Sequence, residues 1–256
     1  MDLPTVVTYF QLLQAAAALA LAWRLLHFRL HREMSWMLGV QLWTAASSIG
    51  AANISFAQEN YSYLYLIAIP PACIMNVLAV RELFALVFNN YPGIRTALRW
   101  AMYVAVGVSL SASLILTWYL GYVPARSHTI FYTVMADRAV SFSLALFILC
   151  ILYFLSKYPL RLPRNFSVST AFFCVIFLTD TVTLALAMFP KSIDRQAVDI
   201  VQTAIVAVSL GIWAYQLQPP NDSNSFTAPG GTRHDETILL EQLQSFNRVL
   251  GKAVHR

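Results

Sequence analysis

Six ionisable side chains sit inside stretches that are otherwise apolar: Arg81, Glu82, Asp137, Arg138, Asp180 and Asp199. Asp180 is the most isolated, the only charged residue between Arg164 and Lys191. A charge at membrane depth costs about 2.5–3.5 kcal/mol, so it faces protein and finds a partner there. A carboxylate in that position either closes an internal ion pair or binds a cation or proton. Other chemistries lack their residues. There is no G-x-S-x-G, H-E-x-x-H, P-loop or G-x-G-x-x-G. His27, His31, His128, His234 and His255 all avoid mid-span positions, which argues against a bis-histidine haem. Lys157, Lys191 and Lys252 lie outside the apolar stretches, so the last one offers no amine for a Schiff base. Cys73, Cys150 and Cys174 fall inside apolar stretches without a C-x-x-C and read as packing residues. The chain is therefore not read as an enzyme, and neither a cofactor nor a metal is expected.

The elements that must position these charges follow from composition. The 256 residues are 58% hydrophobic and 11% charged, against about 25% charged in a soluble domain. Helices are the default way to satisfy such a backbone in lipid. Seven apolar stretches reach the length of about 20 residues that crosses the hydrocarbon layer: 6–27, 35–56, 63–88, 98–120, 131–155, 167–189 and 196–217. Pro92-Gly93, Pro159, Pro163, Pro190 and Pro219-Pro220 punctuate them. Trp36, Tyr61, Tyr63, Tyr65, Trp100, Trp118, Tyr119 and Trp213 lie near their ends, as interfacial aromatics do.

The net charge of +5 reflects basic loops rather than nucleic-acid binding. Connections after the odd stretches hold Arg24, Arg29, Arg32, Arg95, Arg99, Lys157, Arg161 and Arg164. Those after the even stretches hold only Arg126, Lys191 and Arg195. This bias predicts an outside N-terminus and a cytoplasmic C-terminus. The first stretch has nothing basic before it and is expected to stay as an anchor rather than to be a cleaved signal. The expected fold is all-α: a polytopic seven-transmembrane-helix bundle over residues 1–218.

Depth then sorts the charges. Asp180 lies 13 residues past Ser167, about 20 Å along a helix, in the outer half. Asp137, Arg138 and Asp199 fall at similar depth. The simplest arrangement places Arg138 between Asp180 and Asp199, with Gln202, Thr179 and Thr181 as hydrogen-bonding neighbours. Such a cluster is either a salt bridge that fixes packing or a polar pocket open to the outside. Arg81 and Glu82 lie in the cytoplasmic third of the third stretch and, being adjacent, point to different faces. Arg81 is expected to snorkel to the interface, and Glu82 to meet Arg95, Arg99 or Arg161 as a structural pair. Pro70-Pro71 predicts a kink or a late helix start, with Asn76 close enough to satisfy a freed carbonyl.

Residues 219–234, PPNDSNSFTAPGGTRH, read as a flexible linker. In 235–256, Leu239, Leu243, Phe246 and Leu250 recur at helical spacing and predict a short cytoplasmic amphipathic helix. That helix would lie on the bilayer, dock a cytoplasmic protein partner, or pack on the bundle itself.

NYSYLYLIAI, VRELFALVFNNYPGIRTALRW, ADRAV and WAYQLQPP together resemble an uncharacterised family of small bacterial seven-transmembrane-helix integral membrane proteins. The likeness rests on Tyr61, Tyr63 and Tyr65, on Glu82 and Phe84, and on Arg138. It implies a multi-pass protein of the bacterial inner (plasma) membrane and carries no assigned activity. The functional reading is a receptor-like sensory or signalling module that binds something through Asp137, Arg138, Asp180, Asp199 and Gln202. The alternatives are a small-solute or proton-coupled transporter, expected to show an internal repeat and discontinuous helices, and a structural or assembly subunit. The sequence sets no oligomeric state.

Overall fold

A computed structural model describes residues 3–32, 34–54, 59–88, 92–119, 128–157, 162–186, 195–219, 225–226 and 245. They form seven long helices: α1 Leu3–His27, α2 Ser35–Asn53, α3 Glu59–Val87, α4 Pro92–Tyr119, α5 His128–Lys157, α6 Arg164–Leu186 and α7 Arg195–Gln216. Each expected stretch falls on one helix. Two short strands, β1 (Leu162–Pro163) and β2 (Ser225–Phe226), pair antiparallel with Leu162 opposite Phe226. Five helices, α1, α3, α5, α6 and α7, are long and apolar enough to cross a bilayer. This is the make-up of a multi-pass helical membrane protein. Gln41, Trp43, Thr44, Ser47 and Ser48 make α2 more polar.

Helix neighbours close a ring in the order α1, α2, α3, α5, α6, α7 and back to α1. Helix α4 leans on α5 from outside the ring and barely touches α3, although the two are consecutive. The outer surface is apolar, with Ile67, Ile74, Val108, Ile115, Val182 and Val208 all exposed. Exposed aromatics gather at the two ends of the bundle: Tyr9, Tyr63 and Tyr132 at one, Trp23, Trp36, Trp100, Tyr153 and Tyr215 at the other. Tyr132 and Tyr153 are 21 residues apart on α5, about 31 Å at 1.5 Å per residue, which is the thickness of a hydrocarbon layer. The second end also carries Arg24, Arg29, Arg32, Arg81, Arg99 and Arg164 and is called the basic end below.

Aromatic packing joins α3, α5, α6 and α7. Phe84 meets Phe147 and Phe166 edge to face at 5.3 and 5.9 Å between centroids. Phe173 stacks on Phe177 at 5.5 Å and meets Trp213 edge-on at 5.1 Å. Trp213 is fully buried and donates from Nε1 to Ser169 Oγ at 3.2 Å. It is a core residue and not the interfacial aromatic that its place near a helix end suggested. Its phase on α7 turns it toward α6.

Three ties close the basic end. The Glu82 carboxylate accepts from Ser35 N (2.9 Å), Ser35 Oγ (2.8 Å), Trp36 N (2.7 Å) and Met37 N (3.4 Å). Helix α2 begins after Met34, whose side chain makes no cap bond, so Glu82 of α3 caps α2 from outside its own chain segment. The expected partner was Arg95, Arg99 or Arg161; Arg161 and the Arg95 side chain lie outside the described residues. Among the described residues the exposed N–H groups of a helix start hold the carboxylate, and Arg81 donates to the Tyr103 hydroxyl at 3.3 Å. The Arg24 guanidinium donates to Ala214 O and, at 2.7 Å, to Tyr215 O at the end of α7. Asn165 brackets Gln218, donating to its carbonyl at 2.7 Å and accepting from its N–H at 3.1 Å.

The turn after α1 places Arg29 at φ 56°. A non-glycine residue pays about 1 kcal/mol in this left-handed region. Arg29→Gly is therefore expected to raise stability by up to about 1 kcal/mol, read as a higher thermal midpoint of the purified protein. An unchanged or lower midpoint would show that the Arg29 side chain outweighs the strain.

Helix α3 continues through Pro70 and Pro71, so it does not start late. Trp43 Nε1 of α2 donates to Ala68 O at 3.0 Å, two residues before the proline pair. Of residues 235–256 only Ser245 is described. Leu239, Leu243, Phe246 and Leu250 lie outside the described residues.

Candidate functional site

Polar residues of five helices converge inside the ring on a partly open cavity of about 160 Å³. Gln14 comes from α1, Gln41 and Thr44 from α2, Asn76 from α3, Asp180 from α6, and Gln202 and Thr203 from α7. The opposite lining is apolar: Val40, Phe173, Ile176, Phe177, Val206 and Leu210. Helical spacing builds both parts. Phe173, Ile176, Phe177 and Asp180 share one face of α6, and Gln202, Val206 and Leu210 share one face of α7.

Asp180 Oδ1 accepts from Gln202 Nε2 at 2.8 Å. This bond fixes one carboxylate oxygen and leaves the other for a further donor. Gln41 is only 2% exposed, and its Oε1 has no hydrogen-bond partner. A buried acceptor left unmatched costs about 1–3 kcal/mol; this oxygen has no accessible surface, so it is closed off from the cavity that Gln41 helps to line.

Asp137 of α5 accepts from Cys73 Sγ of α3 at 3.4 Å. Cys73 thus does more than fill space. Asp137, Cys73 and Asp180 interact electrostatically, but only Asp180 reaches the cavity wall. Asp180 bonds Gln202, one helical turn further along α7 than Asp199. Asp137 faces α3, and its neighbour Arg138 is rotated by about 100° around α5. Asp199 is exposed, and its carbonyl accepts from Thr203 Oγ1 at 2.7 Å. Thr179 and Thr181 donate to the carbonyls of Val175 and Phe177 in their own helix, so neither serves Asp180.

The structure therefore brings together Asp180 and Gln202 of the expected cluster and adds Gln14, Gln41, Thr44 and Asn76, which reasoning from ionisable residues alone passes over. The available signal was uncharged: amide side chains at mid-helix positions on four separate apolar segments. The lining supplies a carboxylate, amides and hydroxyls but no cationic side chain among the described residues. Its chemistry is that of a binding site for a donor-rich ligand. No protein-family model, curated protein or solved structure matches the chain.

Proposed function

We propose that this protein is a receptor-like membrane sensor that binds a small solute inside its helix bundle and reports through its C-terminal segment to a cytoplasmic partner. The observation that carries the reading is the polar cavity at Asp180, where Gln202 holds one carboxylate oxygen and the other is left for a further donor. A bundle held only by packing gains nothing from such a cavity, whereas a binding site needs one. In this reading all seven helices cross the bacterial inner membrane, with the basic end in the cytoplasm as the positive-inside rule requires. The three ties at that end lie where a signal would leave, and residues 235–256 follow α7 in the sequence. A transporter built on broken helices would interrupt a spanning segment, and the continuity of α3 through Pro70-Pro71 favours the sensor over it.

Accessibility tests the reading. Thr203 lines the cavity. Thr203→Cys is expected to react with a small water-soluble thiol reagent in membranes, well above the background from Cys73, Cys150 and Cys174. A Thr203→Cys protein that is folded yet labels no faster than wild type would remove the solute-binding reading.

A further inference from the structure

We infer that the solute is a small organic ammonium compound with a compact apolar body, bound with its charged nitrogen on Asp180 and its body against the Phe173–Phe177 wall. The inference rests on the proposed solute-binding role and names the ligand class of that same cavity.

Charge selects the class first. Asp180 is the charged group on the wall, and the described lining has no arginine, lysine or histidine. An anion there would meet a carboxylate with no counter-charge. A cation would find the second oxygen of Asp180, since Gln202 occupies the first. Hydrogen bonding narrows the class. The remaining Asp180 oxygen is an acceptor, and an ammonium group carries up to three donors. A quaternary ammonium has no N–H to give it.

Size and surface set the body. A cavity of about 150 Å³ accepts benzene, so 160 Å³ admits a ligand of roughly six to eight heavy atoms. A bare metal ion or proton would leave the apolar lining without a purpose. Phe173 and Phe177 are stacked, with rings 5.5 Å apart and 17° from parallel. They offer an apolar flank to the ligand body, and aromatic rings near a cation add a favourable electrostatic term.

The test uses the full chain in lipid nanodiscs and three probes of one shape: benzylammonium, benzyl alcohol and benzoate, each read against empty nanodiscs. Benzylammonium is expected to bind at least about tenfold more tightly than either isostere, since one charged hydrogen bond is worth that factor. Asp180→Asn, which keeps the shape, is expected to erase that preference, so that benzylammonium and benzyl alcohol bind alike. Because the preference is a ratio within one protein, it survives a moderate loss of stability in the variant. If benzyl alcohol or benzoate binds wild type as well as benzylammonium does, the ligand class is overturned while the binding cavity stands. If benzylammonium binds and Asp180→Asn keeps the preference, the ammonium is seated elsewhere and the inference falls. If no probe binds although Thr203→Cys is labelled, the cavity holds only water and the ligand class is again overturned. Absence of both binding and labelling defeats the solute-binding reading itself.

Discussion

Glu82→Ala is expected to destabilise the protein by about 2–3 kcal/mol. The carboxylate takes three backbone N–H groups and one hydroxyl at the start of α2, and its loss leaves those donors unmatched at a helix end that has no side-chain cap of its own. The N-terminal end of the helix dipole adds to the cost, since the negative charge lies within the first turn. Hydrogen exchange gives the local check: the amides of Trp36 and Met37 should exchange about ten- to a hundredfold faster, while those in the middle of α5 change far less. Glu82→Gln keeps an acceptor of the same shape and should recover part of the loss. A global drop in protection, with no excess at 35–37, would mean that Glu82 acts through packing rather than as a cap.

Trp213→Ala is expected to cost about 3–5 kcal/mol. In lipid little of that comes from the hydrophobic effect, because the surrounding tails are as apolar as the core. It comes from lost contact. Trp213 has no exposed surface, lies at 6.0 Å from Phe172 and 5.1 Å from Phe173, and holds Ser169 through its indole N–H. Removing it opens a large hole between α6 and α7 and strips a partner from a buried hydroxyl. Trp213→Phe restores most of the volume without the N–H, so the difference between the two variants isolates the bond to Ser169, at about 1 kcal/mol. Reversible unfolding in mixed micelles measures both. Equal stability of Trp213→Ala and wild type would mean that α6 and α7 collapse to fill the space.

Helix positions were readable because length and hydropathy are properties of a segment by itself. Each of 6–27, 35–56 and 196–217 needs only its own residues to predict a helix, and α1, α2 and α7 lie there. Helical phase was harder. Depth matching put Asp180 beside α7 with Gln202 among its neighbours, and the two are bonded, but depth carries no rotation, so it could not say which α7 side chain the carboxylate meets. Glu82 illustrates a second limit. Its partners are backbone N–H groups of residues 46 and 47 positions earlier, and a backbone donor leaves no trace in residue identity. Trp213 illustrates a third: nearness to a helix end suggests an interface, yet only tertiary packing decides whether an indole there faces lipid or core. Gln41 was visible as a lone amide in WMLGVQLW. A neutral side chain gives no electrostatic reason to look for a partner, so the cavity remained hidden until the ring closed around it.

The cap on α2 also bears on how the chain is made. Helix α2 is not among the five helices apolar and long enough to cross a bilayer, and the carboxylate that completes its first turn arrives 47 residues later. During synthesis α2 emerges with N–H groups that Glu82 of the following helix later caps. In the proposed seven-span arrangement, α2 and α3 are expected to enter the bilayer together as a hairpin, and a ribosome stalled before Glu82 to hold a helix that has not yet committed to the membrane.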